Sequence, residues 1–143
     1  YHNINNGVYR AGFATTQDAY TEAFDDLFAA LDKIEQRLTV NRYLVGETLT
    51  EADWRLFTTL IRFDSVYYSH FKTNLRRIRD YPELFGYTRD LYQQSGIKQT
   101  VNFEHIKQHY YYSHETINPF RIVPVGPELD FEAPHQREER FGS

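Results

Sequence analysis

Leu49-Thr50-Glu51-Ala52-Asp53-Trp54 is a complete helix-start signal. The Thr50 hydroxyl can accept from the N–H of Asp53, and the Asp53 carboxylate can accept from the N–H of Thr50. Two of the donors that open a helix without a partner are thereby satisfied reciprocally. Leu49, just before the cap, and Trp54, one turn in, are placed as a hydrophobic staple. Upstream, Arg42-Tyr43-Leu44-Val45-Gly46-Glu47-Thr48 is a loop with a glycine. Downstream, Leu56, Phe57, Leu60, Ile61 and Phe63 supply an apolar face, so a buried helix is predicted from about Thr50 to about Phe71.

Working outward, Tyr20, Phe24, Leu27, Leu31, Ile34 and Leu38 recur at alternating steps of four and three, one stripe of a helix capped by Thr15 or Thr16. Ala19, Ala23, Phe28 and Ala30 widen that stripe, which favours a globular bundle over a coiled coil. Pro82 opens a further helix through about Tyr92, with Gly96 expected to stop it. Another helix covers Val101 to Tyr112, with Phe103, Ile106 and Tyr110 on one side. After Asn118, Pro119, Pro124, Pro127 and Pro134 forbid long helices and the apolar residues lose their period. The expected fold class is all-α: a helical domain over 1–118 and an extended tail over 119–143 packed on the same domain.

A chain of 143 residues with 41% hydrophobic content suits one domain with a sizeable core. Its net charge of −4 argues against nonspecific binding to nucleic acid or anionic membranes, which requires clustered cations. Arg76, Arg77 and Arg79 form the dense basic run and are read as a solvated loop. No apolar run reaches the roughly 18 residues of a membrane span, and the first residues lack a signal-peptide pattern. A cytoplasmic protein is expected. With no Cys, the chain holds no disulfide, zinc-thiolate or thiol chemistry of its own. With no Met, Tyr1 is read as a cut or processed end and the chain as a fragment.

Three constellations could carry chemistry. Asn5-Asn6-Gly7-Val8-Tyr9-Arg10-Ala11-Gly12-Phe13-Ala14 reads as turn-forming, and its glycines bracket Tyr9, which either presents its hydroxyl to a cavity or packs where a helix ends. In Tyr110-Tyr111-Tyr112 the side chains diverge by about 100°. Tyr110 shares the inward face with Phe103 and Ile106, while Tyr111 or Tyr112 meets solvent or a partner, and a merely aromatic helix face is the alternative. His105 and His109, four apart with His114 beyond, have a spacing that suits one metal ion. Lacking an acidic third ligand of clear spacing, they are read as a polar helix face, and no metal is assigned. Aromatics reach 17%, with 12 Tyr and 11 Phe, more ring surface than a small core needs.

The capped helix resembles the core helix of the all-helical domain of glutathione transferases, in which such a box serves folding. Thr50 and Asp53 are therefore structural rather than catalytic candidates. The Asn5–Ala14 stretch, Val101-Asn102-Phe103-Glu104-His105-Ile106, Ser113-His114 before Ile117-Asn118-Pro119, and the terminal Arg140-Phe141-Gly142 together resemble the Xi-class glutathione transferases, the glutathionyl-hydroquinone reductases. The resemblance runs nearly end to end but covers the C-terminal helical half of that family.

The resemblance implies that the other half is an N-terminal thioredoxin-like domain carrying a nucleophilic cysteine. That cysteine takes glutathione from a glutathionyl-hydroquinone as a mixed disulfide, and free glutathione, a co-substrate of the full-length protein, regenerates the thiol. Tyr9 and Tyr110 match the family's substrate-site tyrosines and would serve as catalytic and substrate-binding donors to a hydroquinone-type ligand. The cysteine-free chain alone is expected to bind no cofactor and to be inactive. A homodimer is implied as well. The alternative is a non-catalytic helical interaction module of glutathione transferase type.

Overall fold

The computed structural model describes residues 3–141; Tyr1, read as a cut end, and Gly142 of the terminal motif lie outside the described residues. The architecture is all-α: α1 (Asn5–Gly12), α2 (Gln17–Val40), α3 (Glu51–Arg62), α4 (Tyr68–His70), α5 (Pro82–Tyr92), α6 (Phe103–Ser113) and α7 (Arg137–Phe141). Among the described residues there is no strand, and extended pairing is confined to isolated bridges at Tyr43–Gly46 and Val45–Thr48.

The stripe on α2 faces the core, with Leu27, Leu31 and Leu38 buried beside Ala23 and Phe28. Ala19, expected to widen that face, is exposed. Thr16 caps the helix by accepting from the N–H of Ala19 at 3.1 Å. At α3 the capping box is formed. Fully buried Asp53 accepts from the N–H of Thr50 at 2.9 Å and ties in the preceding loop through the N–H of Leu44 at 2.9 Å. Tyr87 of α5 donates its hydroxyl to the same carboxylate at 2.7 Å, so one side chain joins cap, loop and neighbouring helix.

Four expectations need correction. The helix opened by Thr50 does not run regularly to Phe71, because Phe63–Tyr67 forms a π-helical turn before α4. The N–H of Tyr68 there bonds the carbonyl of Phe63, five residues back. The Asn5–Ala14 stretch is helical from Asn5 to Gly12 rather than a turn. Its poor intrinsic propensity is offset by packing, since Val8 is fully buried and Gly7 lies against Leu27. Gly96 does not stop α5, which ends at Tyr92; the glycine sits in the following turn at φ +84°. The tail is not extended throughout, since it closes with α7.

The tail is pinned along its length. Phe131 is buried among the rings of Phe85, Tyr92 and Phe103, at centroid distances of 5.7–5.8 Å. Lys107 on α6 donates to the carbonyls of Pro124, Val125 and Gly126 at 3.1–3.3 Å. Arg137 on α7 buries its guanidinium at the C-terminus of α2, donating to the carbonyls of Leu38, Asn41 and Arg42 and to Glu83. A cation there satisfies orphan carbonyls and meets the negative end of the helix dipole. Among the described residues no helix is long and apolar enough to cross a membrane.

Candidate functional site

An open cleft of about 840 Å³ separates the start of α1 from the outer face of α3. Asn5, Asn6 and Tyr9 form one wall, and Trp54, Arg55, Thr58 and Arg62 the other. The walls are held in register by Asn5, whose amide donates to the carbonyl of Arg55 at 2.6 Å. Tyr110 of α6 and Tyr67 of the π-helical turn reach the same cleft.

Tyr9 and Tyr110, 101 residues apart in the chain, bring their hydroxyls to 2.7 Å. Tyr67 adds a third hydroxyl 3.0 Å from that of Tyr110. Behind them the rings of Tyr9, Tyr67, Phe71 and Tyr110 pack at centroid distances of 5.3–6.2 Å. Burial raises the Tyr9 phenol above its ordinary value, and the bond to Tyr110 adds to the effect. Burial pushes Tyr67 much higher still, reinforced by its neighbouring hydroxyls. Both are therefore neutral phenols at physiological pH, able to donate a hydrogen bond and to pass on a proton.

The triple tyrosine resolves by direction. Tyr110 faces the cleft, Tyr111 is buried with its hydroxyl 2.6 Å from that of Ser69, and Tyr112 is exposed. His105 and His109 lie exposed on α6, while His114 turns to His70, ring nitrogen to ring nitrogen at 3.0 Å. Among the described residues no group of three or more His, Cys, Asp or Glu is gathered as a metal would require. The basic run splits: Arg76 pairs with Asp32 and Arg77 with Asp80 at the surface, whereas Arg79 is partly buried and gives its backbone N–H to Asp64.

Sequence reasoning missed Tyr67, Arg62 and His70. Tyr67 sits on the apolar run after Phe63, where it reads as one more core ring. The signal that could have found it is the pair Tyr67-Tyr68, since a buried phenol requires a hydrogen-bond partner.

Residues 17–90 match the family described as Glutathione S-transferase, C-terminal domain. The glutathionyl-hydroquinone reductase YqjG of Escherichia coli is 56% identical over 142 residues, covering 99% of this chain and 43% of that protein. The glutathione-bound structure of YqjG, described as a glutathione transferase homolog, superimposes with a TM-score of 0.97 at 55% identity, over 99% of this chain and 46% of that one. A Xi-class glutathione transferase from Natrialba magadii gives a TM-score of 0.95 at 56% identity, over 97% of this chain and 43% of that one. The chain thus spans less than half the length of these relatives. On its sequence match and its fold alike, the chain belongs to the glutathione S-transferase C-terminal domain family.

Proposed function

We propose that this chain is the substrate-binding half of a glutathionyl-hydroquinone reductase, in which Tyr9 and Tyr110 donate to the ring oxygens of the hydroquinone. The observation that carries this reading is the 2.7 Å meeting of their hydroxyls at the wall of the cleft. In the complete enzyme, a cysteine thiolate on a thioredoxin-like half attacks the glutathione sulfur. A sulfur–sulfur bond forms as the ring carbon–sulfur bond breaks, and the ring takes up a proton and leaves as hydroquinone. A second glutathione, as thiolate, then displaces the first as glutathione disulfide and restores the cysteine thiolate. Negative charge gathers on the ring oxygens during the first step, and neutral phenols aimed there stabilise it more than they stabilise the bound substrate.

Since this chain has no cysteine, it performs neither sulfur step alone. It supplies the ring pocket and the tail that encloses the same domain. A cytoplasmic homodimer is part of the proposal: exposed Phe120, Ile122 and Val125 offer apolar surface that a second copy would cover.

The test is Tyr9→Phe in a protein carrying both halves. Turnover should fall by about a hundredfold, the loss typical of one oxyanion donor, while the mixed disulfide still forms slowly. Unchanged kinetics would remove Tyr9 from the reaction. Hydroquinone analogues added to this chain should likewise perturb the resonances of Tyr9 and Tyr110; silence there favours an interaction module.

A further inference from the structure

The three tyrosine hydroxyls carry three protons and share two hydrogen bonds, Tyr9 with Tyr110 and Tyr110 with Tyr67. One O–H is therefore left over, and burial decides whose it is. Tyr67 is 2% exposed, Tyr110 8% and Tyr9 40%, and the Tyr67–Tyr110 contact is the buried one of the two. If the chain of donors ran inward, from Tyr9 through Tyr110 to Tyr67, the leftover O–H would be the buried one, and an unsatisfied buried donor is costly. Every arrangement that keeps both bonds and avoids this has Tyr67 donating to the oxygen of Tyr110. The leftover O–H then belongs to Tyr9 or to Tyr110, both of which line the cleft.

From this we infer that Tyr67 is a positioning residue, whose buried hydroxyl donates to Tyr110 and so turns the free O–H of the trio outward to the substrate oxygen. The inference rests on the ring-donor reading of Tyr9 and Tyr110 given above. Donation to the oxygen of Tyr110 also polarises that hydroxyl, making it a stronger donor, as successive hydrogen bonds in a low-dielectric site do. The fold dedicates an irregular element to this placement. Tyr67 ends the π-helical turn, its carbonyl is held by both the N–H and the hydroxyl of Thr73, and its ring is stacked on Phe71. Extra-residue turns inside helices recur at functional sites because they re-aim a side chain without breaking the helix.

Tyr67→Phe tests this, since it keeps the ring and removes only the hydroxyl. In the two-half enzyme, single-turnover release of hydroquinone should slow by about tenfold, less than the loss expected for a direct donor. KM and the thermal midpoint should hold, and the variant should cost nothing further in a Tyr110→Phe background, where the receiving oxygen is gone. On this chain alone, with tyrosines labelled at ¹³Cζ, Tyr67→Phe should shift the Tyr110 resonance and leave Tyr43 in place. The inference is overturned if the Tyr110 resonance stays put, or if Tyr67→Phe reacts at full speed while Tyr110→Phe is slow. A lowered thermal midpoint with an unmoved Tyr110 resonance also overturns it, leaving the hydroxyl a packing role. If instead Tyr9→Phe and Tyr110→Phe both run at wild-type speed, the ring-donor reading falls, and the resonance shift still decides whether Tyr67 donates.

Discussion

Gly12 lies directly under the ring of Phe71, so close that a Cβ built on the glycine would stand 2.3 Å from Cγ of that ring. The last turn of α1 thus touches the fully buried aromatic against which Tyr9 and Tyr67 pack. Residue 12 is a glycine because the base of the Phe71 side chain occupies the space that a Cβ would need.

Gly12→Ala should therefore destabilise the chain although alanine is the better helix former. Propensity alone predicts a gain of about 1 kcal/mol. The overlap involves Cβ, Cγ and Cδ1 of Phe71, the base of the side chain, which has no flexible end to move aside. Overpacking of this kind costs about 1–3 kcal/mol, and the displaced ring would carry Tyr9 with it. Urea unfolding should show a lower midpoint; a stabilised variant would place α1 elsewhere.

Asp53 joins the Thr50 cap, the Leu44 loop and the Tyr87 hydroxyl through acceptor bonds on both carboxylate oxygens. Asp53→Asn replaces one oxygen with a donor that faces other donors, so at least one neighbour loses its bond in a fully buried setting. A loss of about 2–3 kcal/mol is expected, against about 1 kcal/mol for Thr50→Ala, which removes the cap and a long hydroxyl bond to Asp53. Equal losses in denaturant titrations would reduce Asp53 to its capping role.

Arg137 is legible in the structure and not in the sequence. Its guanidinium fork reaches three carbonyls at the end of α2 and the carboxylate of Glu83, 54 residues away. Arg137→Ala leaves those carbonyls without their donor, a loss of about 1–3 kcal/mol, while Glu83 keeps Arg140 as its partner. Arg137→Lys should recover little of this, because a single ammonium cannot span both the carbonyls and the carboxylate. Hydrogen exchange in the last turn of α2 should accelerate in Arg137→Ala and Arg137→Lys alike; protection restored by lysine would count against the fork.

The elements read correctly from the sequence are those whose cause is local. Thr16, the Thr50–Asp53 box and Pro82 are signals within one turn of the helix they start, and the α2 stripe is a periodicity. What escaped was set by distant partners. The Asn-Asn-Gly opening of α1 has turn chemistry but is held helical by α2, and Arg137 is placed by α2 and Glu83. The π-helical turn escaped for another reason: all of Phe63, Asp64, Ser65, Val66 and Tyr67 are buried, the polar Asp64 and Ser65 included, so no exposed face marks where the period slips. Around the cleft, Tyr9 and Tyr110 stand out from their motifs, but their meeting is set by the packing of elements 101 residues apart, and the place of Tyr67 beside them by that slip.

His70 gives the chain an acid sensitivity with a defined sign. Its ring is buried, with Nε2 3.0 Å from Nδ1 of His114, and stacks on Phe71 beneath the tyrosine trio. Burial, followed by the nearby His114, lowers its pKa from 6.5 to about 4. The unfolded chain takes up a proton near 6.5 while the folded chain refuses it until about 4, so between those values the unfolded state binds more protons. Stability is then fully present above the unfolded value and is lost as the pH falls through the window, by up to about 1.4 kcal/mol per pH unit. His70→Gln, which retains a polar group facing His114, should flatten that slope while leaving the carboxylate contributions common to both proteins. Denaturant midpoints at about pH 7 and about pH 5 for the two proteins decide it: parallel losses would mean that His70 accepts its proton in the folded state as readily as in the unfolded one.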